Sequence, residues 1–426
     1  MKSRHRLLFS FFIFHFSFFT CKAQTDFNFS DEFALDTLAT SKIILHSGYF
    51  FSSNAATNRI ATEYGRNGFI TDEMKDGVSK NLKDKNRFGG GYDANLFFVF
   101  HPDTLKKNLG VYGGVRIRNH IDSRFSRDLF EVYFRGNKNY AGKTADFSDS
   151  EVSSYQYKQF TAGLANAYPL HNGKLFLGLG INITAGRRFT KIESRHSTFY
   201  THPDGEYLDG DFDITYQRDD SAKANLIPTE GKGIALNFFA EYENHSNNKF
   251  FIGVENLGNI FWNRYSTTLR IDSTFRFDGI DVSDLFNFND SLRSGISIDS
   301  TYYQNFLTNR KKERVTTALP ANFTVSFTHP FLLTRINLTV GASYLAFANA
   351  TVNYFAIGNY KVNARNEVSL ILSYGGYDSF KAGLKYEHQF THGVSVEVGS
   401  DYLSSMIMYN KGRSQGAFVS LAKKFQ

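Results

Sequence analysis

The sequence has few residues that break or cross-link secondary structure. Only six of its 426 residues are proline, and Cys21 is the sole cysteine. A single cysteine cannot form a disulfide within the chain, and no proline-rich linker divides it. After the first residues no apolar run reaches the roughly 20 residues that a membrane-spanning helix needs. These absences exclude a disulfide-stapled small domain and a helical membrane protein.

The first residues resemble a targeting segment. Lys2, Arg4 and Arg6 precede an apolar run of about 13 residues, too short to span a membrane. Cys21 and Ala23 are the small residues that a signal peptidase reads. The sequence therefore predicts a signal peptide over 1–23 and a single outer-membrane barrel domain over 24–426. Lipidation of Cys21 is the alternative, although the residues before it lack the usual aliphatic-then-small pattern.

Removing residues 1–23 changes the charge of the chain. Four basic residues and no acidic ones are lost, so 44 basic and 41 acidic residues remain and the net charge falls from +7 to +3. The high isoelectric point is thus partly a property of the targeting segment. No nucleic-acid partner is expected from a mature chain with so balanced a charge.

What the chain has in abundance is glycine and aromatic residues, with 34 Gly, 24 Tyr and 45 Phe. Apolar residues alternate with polar or small ones, most clearly from Leu175 to Ala185. Period-two alternation places one set on each face of a strand. Strands in soluble sheets are usually about 5–6 residues long, whereas membrane strands need about 9–11. The pattern predicts an all-β fold, a transmembrane antiparallel β-barrel of about 14 strands. It favours this barrel over the alternatives of a soluble sandwich or a propeller.

The alternation also predicts where the strands lie. Connections alternate between short and long, with long ones at 122–152, 191–230 and 263–314, as periplasmic turns and extracellular loops should. Within 263–314, Thr267 to Phe277 is itself strand-like and predicts a hairpin beyond the membrane. The expected strands are 42–51, 88–100, 110–121, 153–168, 174–190, 231–244, 249–262, 315–328, 336–347, 352–361, 367–374, 379–390, 393–403 and 416–425.

One segment, near 70–84, has a helical pattern instead. Ile70, Met74, Val78 and Leu82 recur every four residues, with acidic residues early and lysines late, which complements the helix dipole. The sequence leaves two placements open for this short helix: a plug inside the lumen, or a loop helix on the rim.

Motifs of known chemistry are missing. The chain has no nucleophile elbow, zinc-protease motif or P-loop, and His388 and His392 stand on a predicted strand and turn, where their spacing does not bring two ligands together. We therefore expect no enzyme activity, no cofactor, and neither catalytic nor metal-binding residues. The candidate site residues are the charged side chains that alternation turns into the lumen, where mixed signs favour mutual pairing over a conduction path. They are Asp93, Arg116, Arg118, Lys174, Glu241, Glu243, Glu255, Lys381, Lys385, Glu387 and Glu397.

Several short motifs resemble those of an uncharacterised family of Gram-negative outer-membrane β-barrels, a domain of unknown function. They are Gly231 to Leu236, Val254 to Trp262, Asn86 to Gly90 and Tyr374 to Tyr377. In architecture the chain resembles the fatty-acid transporter FadL and the shuttle barrel of type IX secretion. The resemblance implies an outer-membrane location and assigns a role to none of the residues.

Two classes of function follow from these features. One is passive, porin-like or FadL-like transport of small or amphipathic molecules, and the other is a scaffold barrel that partners a secretion or surface-assembly machine. The expected partners are outer-membrane lipid and lipopolysaccharide and the barrel-insertion machinery. The loops 122–152, 191–230 and 263–314 are the expected docking surfaces for a protein partner.

Overall fold

The computed structural model describes residues 41–100, 109–219, 230–278, 310–331 and 335–425. The predicted signal peptide lies outside this part of the chain. Within it there are nineteen strands and a few short helices. The strands are β1 (Ser41–Ser53), β2 (Lys85–Phe100), β3 (Leu109–Ser126), β4 (Lys143–Asp146), β5 (Ser150–Leu170), β6 (Gly173–Thr201), β7 (Leu208–Asp219), β8 (Gly231–Asn244), β9 (Lys249–Trp262), β10 (Thr267–Phe277), β11 (Arg310–Lys312), β12 (Thr316–Ala318), β13 (Ala321–Phe331), β14 (Ile336–Ala346), β15 (Asn353–Asn363), β16 (Asn366–Gly375), β17 (Phe380–Gln389), β18 (Val394–Ser400) and β19 (Ser414–Phe425).

Fourteen of these strands close into one antiparallel barrel. They are all the strands except β4, β7, β10, β11 and β12, and the ring closes where β1 pairs with β19 as well as with β2. The predicted barrel of about 14 strands is confirmed. The bounds of β8 and β9 match the prediction, and most others differ from it by a few residues, usually because the strand continues beyond the membrane.

Connections of two kinds separate the ends of the barrel. At one end, the short-turn end, the strands are joined through segments such as 171–172, 245–248 and 390–393. At the other, the long-loop end, lie 54–84, 127–149, 202–230 and 263–320, together with the shorter 347–352, 376–379 and 401–413. The predicted separation of short and long connections is confirmed. The connection 54–84 is a further long one.

The outer wall carries an apolar belt, formed by the exposed apolar side chains at outward strand positions. Leu179 is 58% exposed, Ile183 63% and Ile234 54%. Large apolar side chains left this exposed over a whole wall indicate a surface that contacts lipid. No helix in the described part of the chain is long and apolar enough to cross a membrane.

The inner wall is packed along β1 to β9. Near the short-turn end an apolar layer fills this side of the lumen; it consists of Ile44, Phe97, Val99, Tyr112, Ala165, Phe176 and Phe239. Gly178 faces this layer because a Cβ there would lie 1.9 Å from the Phe239 ring. The glycines of the inward stripe thus make room for aromatic rings.

Beyond the apolar belt, part of the wall continues as an extension sheet, made of β4, the outer half of β6, β7, β10 and β11. β7 pairs with β6 from Phe189 and with the whole of β10. The strand predicted over Thr267 to Phe277 is confirmed, with β7 as its partner. The prediction of 191–230 as a loop is wrong over 191–201 and 208–219, because residues with β-propensity such as Ile192, Ile214 and Tyr216 pack together there.

Three helices form a pad at the long-loop end: α1 (Asn58–Gly65), α2 (Asp72–Ser79) and α3 (Arg127–Arg135). A side-chain oxygen of Thr57, Thr71 or Ser126 accepts a backbone N–H at each N-terminus, as in standard N-caps. Ile60, Met74, Val78, Leu82 and Phe130 form their shared core. A fourth helix, α4 (Leu403–Ile407), follows β18. The helix predicted near 70–84 is confirmed as α2.

Candidate functional site

The strand register places the eleven predicted lumen residues at inward positions, and most of them meet an opposite charge or a polar group. Arg116 Nε donates to Asp93 Oδ2 at 2.5 Å, with both side chains almost fully buried. Lys385 and Glu397 lie 3.0 Å apart, and Lys249 lies 3.5 Å from Glu241 and 4.0 Å from Glu243.

The other predicted residues are spread along the lumen. Lys381 is buried and donates from Nζ to the Gly375 carbonyl at 2.9 Å and to Asn353 Oδ1 at 3.1 Å. Arg118 is buried above the Asp93 pair, Glu255 and Glu387 are half-buried, and Lys174 is exposed at the short-turn end. The structure does not gather these charges into one cluster. A role for them in conduction or binding stays a prediction.

An amide layer crosses the lumen wall between β5 and β9. Asn256 adopts a φ of 59° at a bulge where β9 shifts its register against β8, and this turns its side chain inward. Its Oδ1 accepts from Gln159 Nε2 and Asn182 Nδ2, each at 3.0 Å, while its N–H donates to Asn237 Oδ1 at 2.9 Å. The motif Val254 to Trp262 therefore encodes a bulge and a buried hydrogen-bond network, which favours a rigid wall at this level.

The lumen mouth at the long-loop end is crossed by side chains from opposite walls. Asp122 stands on β3, and Asn349 lies in the connection between β14 and β15, six and seven strands away around the ring. The Asn349 N–H donates to both carboxylate oxygens of Asp122, at 3.0 and 2.9 Å. Asn349 Nδ2 and the Tyr377 hydroxyl donate to the same carboxylate. We call these three residues the mouth latch.

Two of the sequence motifs meet at this latch. A Cβ on Gly89 would lie 2.1 Å from the Tyr377 ring, so only glycine leaves room for the ring here. Arg87 Nε donates to the Gly376 carbonyl at 3.0 Å. Behind them, Asp378 accepts from Ser414 Oγ at 2.8 Å and lies 2.9 Å from Arg413. The motifs Asn86 to Gly90 and Tyr374 to Tyr377 thus hold the connection 376–379 over the mouth.

An apolar groove lies at the same end, on the outer side of the wall. Gly89 faces the mouth, so the adjacent Phe88 points to the outer side of the wall. Phe51 on β1 and Phe125 on β3 lie on the same outer side, next to Phe88. The ring centroids of this row are 6.3 and 6.2 Å apart. Helices α1 and α3 pack over the row, and the helical pad therefore lies on the rim rather than in the lumen.

The groove between the pad and the wall has a volume of about 230 Å³. An apolar cavity of roughly 150 Å³ already holds benzene, so this space suits a small apolar molecule or the end of an acyl chain. Its apolar lining comes from Phe51, Ala56, Ile60, Ala61, Tyr64, Phe88, Phe125, Leu129, Phe130, Tyr133, Phe134, Phe147, Val152, Ile192 and Ile214.

Few polar groups face the groove. Tyr64 and Tyr133 share a hydrogen bond of 2.9 Å between their hydroxyls at its edge. Burial raises the pKa of the Tyr64 hydroxyl above its ordinary value, and the hydrogen bond with Tyr133 adds to the rise. The remaining lining residues are Ser123, Arg124, Ser150, Glu151, Ser194 and Ser197. A few polar groups beside an apolar floor are typical of sites that bind apolar or amphipathic molecules.

Sequence reasoning missed both the latch and the groove. Asp122, Asn349 and Tyr377 are far apart in the chain, and nothing local in the sequence marks their contact. The motif around Tyr377 was a usable signal, because consecutive glycines beside a tyrosine indicate a tight turn with a packed ring. The described residues bring no three His, Cys, Asp or Glu side chains together in the way that a metal ion needs.

The solved structures that this chain resembles share little sequence with it. No curated protein sequence matches it. Among solved structures, the toluene transporter TodX of Pseudomonas putida is 9% identical with a TM-score of 0.43, covering 91% of this chain and 90% of TodX. A FadL homologue of Pseudomonas aeruginosa is 9% identical with a TM-score of 0.42, covering 91% and 89%. The translocator domain of the autotransporter NalP from Neisseria meningitidis is 9% identical with a TM-score of 0.34, covering 93% and 92%.

The sequence also matches one family model over residues 43–401, which takes in all fourteen barrel strands except the last. The protein belongs to this family, the family of unknown function DUF5723.

Proposed function

We propose that this protein is an outer-membrane barrel, with its long-loop end outside the cell, that passively admits small apolar or amphipathic molecules. The apolar groove at the long-loop end carries the proposal, because it offers such molecules a binding place beside the lumen mouth. The mouth latch supports it, since three side chains close a path between opposite walls and could be released without unfolding the barrel.

Filling the groove should abolish binding of an apolar probe. Ala61 lines the groove from α1, and Ala61→Trp would occupy its free volume at an overpacking cost of about 1–3 kcal/mol. We expect the full-length barrel in detergent to bind a fluorescent naphthylamine, and the variant to bind it at least about tenfold more weakly, a loss of about 1.4 kcal/mol.

Thr62→Trp is the matched control, because Thr62 lies on the same helix but does not line the groove. It should bind the probe as the unsubstituted protein does. Equal binding by the Ala61 variant would mean that the groove is not the site. Loss of probe binding in both variants would mean that a tryptophan anywhere on α1 disturbs the helix, and this result would count against the groove as the binding site.

Releasing the latch should open the mouth. Asp122→Ala removes the acceptor of four hydrogen bonds from Asn349 and Tyr377, and each hydrogen bond to a charged group contributes about 1.5–3 kcal/mol. We expect larger or more frequent conductance steps in planar bilayers. Asp149→Ala, which breaks an exposed pair with Lys85, should leave conductance unchanged; identical conductance in both variants would exclude the latch as a barrier.

The scaffold function remains the second candidate, favoured by the extension sheet. β7 and β10 pair over eleven residues beyond the apolar belt and present Asp209, Asp213, Arg270 and Arg276 on one face. A charged sheet of this length is a suitable docking surface for a protein partner. A stoichiometric partner in gentle detergent pull-downs, together with no probe binding in the groove, would favour the scaffold over transport.

A further inference from the structure

A patch of positive charge lies on the outer wall at the upper border of the apolar belt. Lys158 on β5 pairs with Ala185 on β6, and Ala185 pairs with Lys232 on β8, so the two lysines stand in one row. Arg188 pairs with Gln156 one step higher, and Arg187 is the extra residue at the register shift between β5 and β6. We call Lys158, Arg187, Arg188 and Lys232 the basic row.

The row faces lipid rather than the lumen. Directly below it on the same face stand Phe160, Ile183 and Ile234, which are paired with one another and exposed. Arg187, Arg188 and Lys232 are also exposed, and Lys158 is half-buried. On β5, β6 and β8 the charges therefore begin where the exposed apolar stretch ends, while the exposed Ile117 and Phe261 flank the row on the neighbouring strands β3 and β9.

Within the described barrel strands, no other part of the membrane-facing wall has this character. We consider the outward positions of the described barrel strands between the short-turn end and the basic row. Apart from the row itself, the one Lys or Arg among them is Lys423, which lies close to the opposite border of the apolar belt. No Asp or Glu occupies an outward position in the same part of the described strands. Neither Arg187, Arg188 nor Lys232 forms an ion pair with a described carboxylate.

Arg187, Arg188 and Lys232 stand exposed at the edge of an apolar wall, at the level where lipid headgroups lie. Arginine binds phosphate through two parallel N–H donors, and lysine acts as a point charge. Neighbouring strands lie about 4.8 Å apart, so the row from β5 to β8 spans about 10 Å. That width suits a headgroup carrying two phosphates better than one with a single phosphate.

We propose that the basic row binds the phosphate groups of lipopolysaccharide, with the acyl chains lying over Phe160, Ile183 and Ile234. This inference rests on the proposed orientation, with the long-loop end outside, because lipopolysaccharide occupies the outer leaflet. The proposed lipid site lies on β5, β6 and β8, and it does not include the groove beneath the helical pad.

The test measures binding of lipid A to the full-length barrel in mixed detergent micelles. We expect diphosphorylated lipid A to bind, and Arg188→Gln and Lys232→Gln each to weaken binding about fivefold, as for other basic residues beside anionic lipid surfaces. Combining both with Lys158→Gln should weaken binding by about a hundredfold. Lys423→Gln, at the other border, is the matched control and should bind as the unsubstituted protein does.

Three results would overturn the proposal. Unchanged binding in the triple variant would show that the row does not hold the lipid. Equal binding of dephosphorylated lipid A would assign the interaction to the acyl chains alone. Displacement of lipid A by millimolar inorganic phosphate would identify a site for free anions rather than for a lipid.

A separate measurement tests whether the long-loop end lies outside the cell, independently of whether the basic row binds lipid A. The exposed Lys143 lies in the long-loop region, and a membrane-impermeant reagent should label Lys143→Cys on intact cells. Absence of labelling, with lipid A binding still dependent on the row, would reject the orientation and with it the assignment to the outer leaflet. Groove-probe binding in the triple variant should be unchanged, so that failure of the groove proposal remains a distinct result.

Discussion

Replacing Arg116 with methionine should lower the free energy of unfolding of the barrel by about 3–5 kcal/mol, the usual cost of removing one partner of a buried ion pair. The substitution leaves the Asp93 carboxylate, which is 0% exposed, without its 2.5 Å partner. Asn95 Nδ2 still donates to Asp93 and Arg118 stays nearby, but a neutral donor does not replace the charged hydrogen bond that Arg116 makes to the buried carboxylate. Denaturant unfolding in detergent, followed by tryptophan fluorescence or by heat-modifiable migration on gels, would measure the loss.

The double variant Asp93→Asn with Arg116→Met should recover most of this loss, since no charge then remains in the buried site. Arg276→Met is the matched control. It breaks the ion pair of Arg276 with Asp209, whose two contacts measure 2.7 and 2.8 Å but lie exposed on the extension sheet, and it should change stability far less. A loss at Arg116 no greater than at Arg276 would show that the lumen pair is solvated and would undermine the packed inner wall.

The barrel wall could be predicted from the sequence because its periodicity is local. Leu175, Leu179 and Ile183 stand on one face by alternation alone, and the opposite face follows once a wall with lipid on one side is assumed. The inward positions of charged residues such as Asp93 and Lys385 follow in the same way. Their partners, Arg116 and Glu397, do not follow, because alternation fixes the face of a residue and leaves the register against the adjacent strand undetermined.

The parts that sequence reasoning missed depend on tertiary contacts. Helix α3 (Arg127–Arg135) contains five aromatic or aliphatic residues, a composition equally suited to a strand, and the packing of Phe130 and Phe134 in the pad favours the helix. The outer half of β6 lacks a clean alternation because two register shifts interrupt it, one at Arg187 and one near Ser194. The latch between Asp122 and Asn349 joins residues 227 positions apart.

A charge placed in the middle of the apolar belt should make folding into the membrane less favourable. Leu179 is 58% exposed in the middle of the outward face of β6, between Leu177 and Ile181. Replacing it with arginine should cost about 2–4 kcal/mol, as basic residues at the bilayer midplane of barrels do, because a charge there loses its hydration to lipid. Folding into lipid vesicles at increasing urea concentration would measure the difference in free energy.

The control for this substitution must share its face and differ in depth. Gly180, the next residue, is unsuitable because a Cβ there would lie 2.4 Å from the Tyr112 hydroxyl oxygen, so steric clash would mask any effect of charge. Asn259 is suitable: it is exposed, it points outward on β9, and it pairs with Ile234 near the basic row. Asn259→Arg should cost about 0–1 kcal/mol, the range for positions near the membrane interface. Equal costs at Leu179 and Asn259 would mean that the outward face of β6 does not contact the bilayer interior, and both the position of the apolar belt and the placement of the basic row at its border would then be wrong.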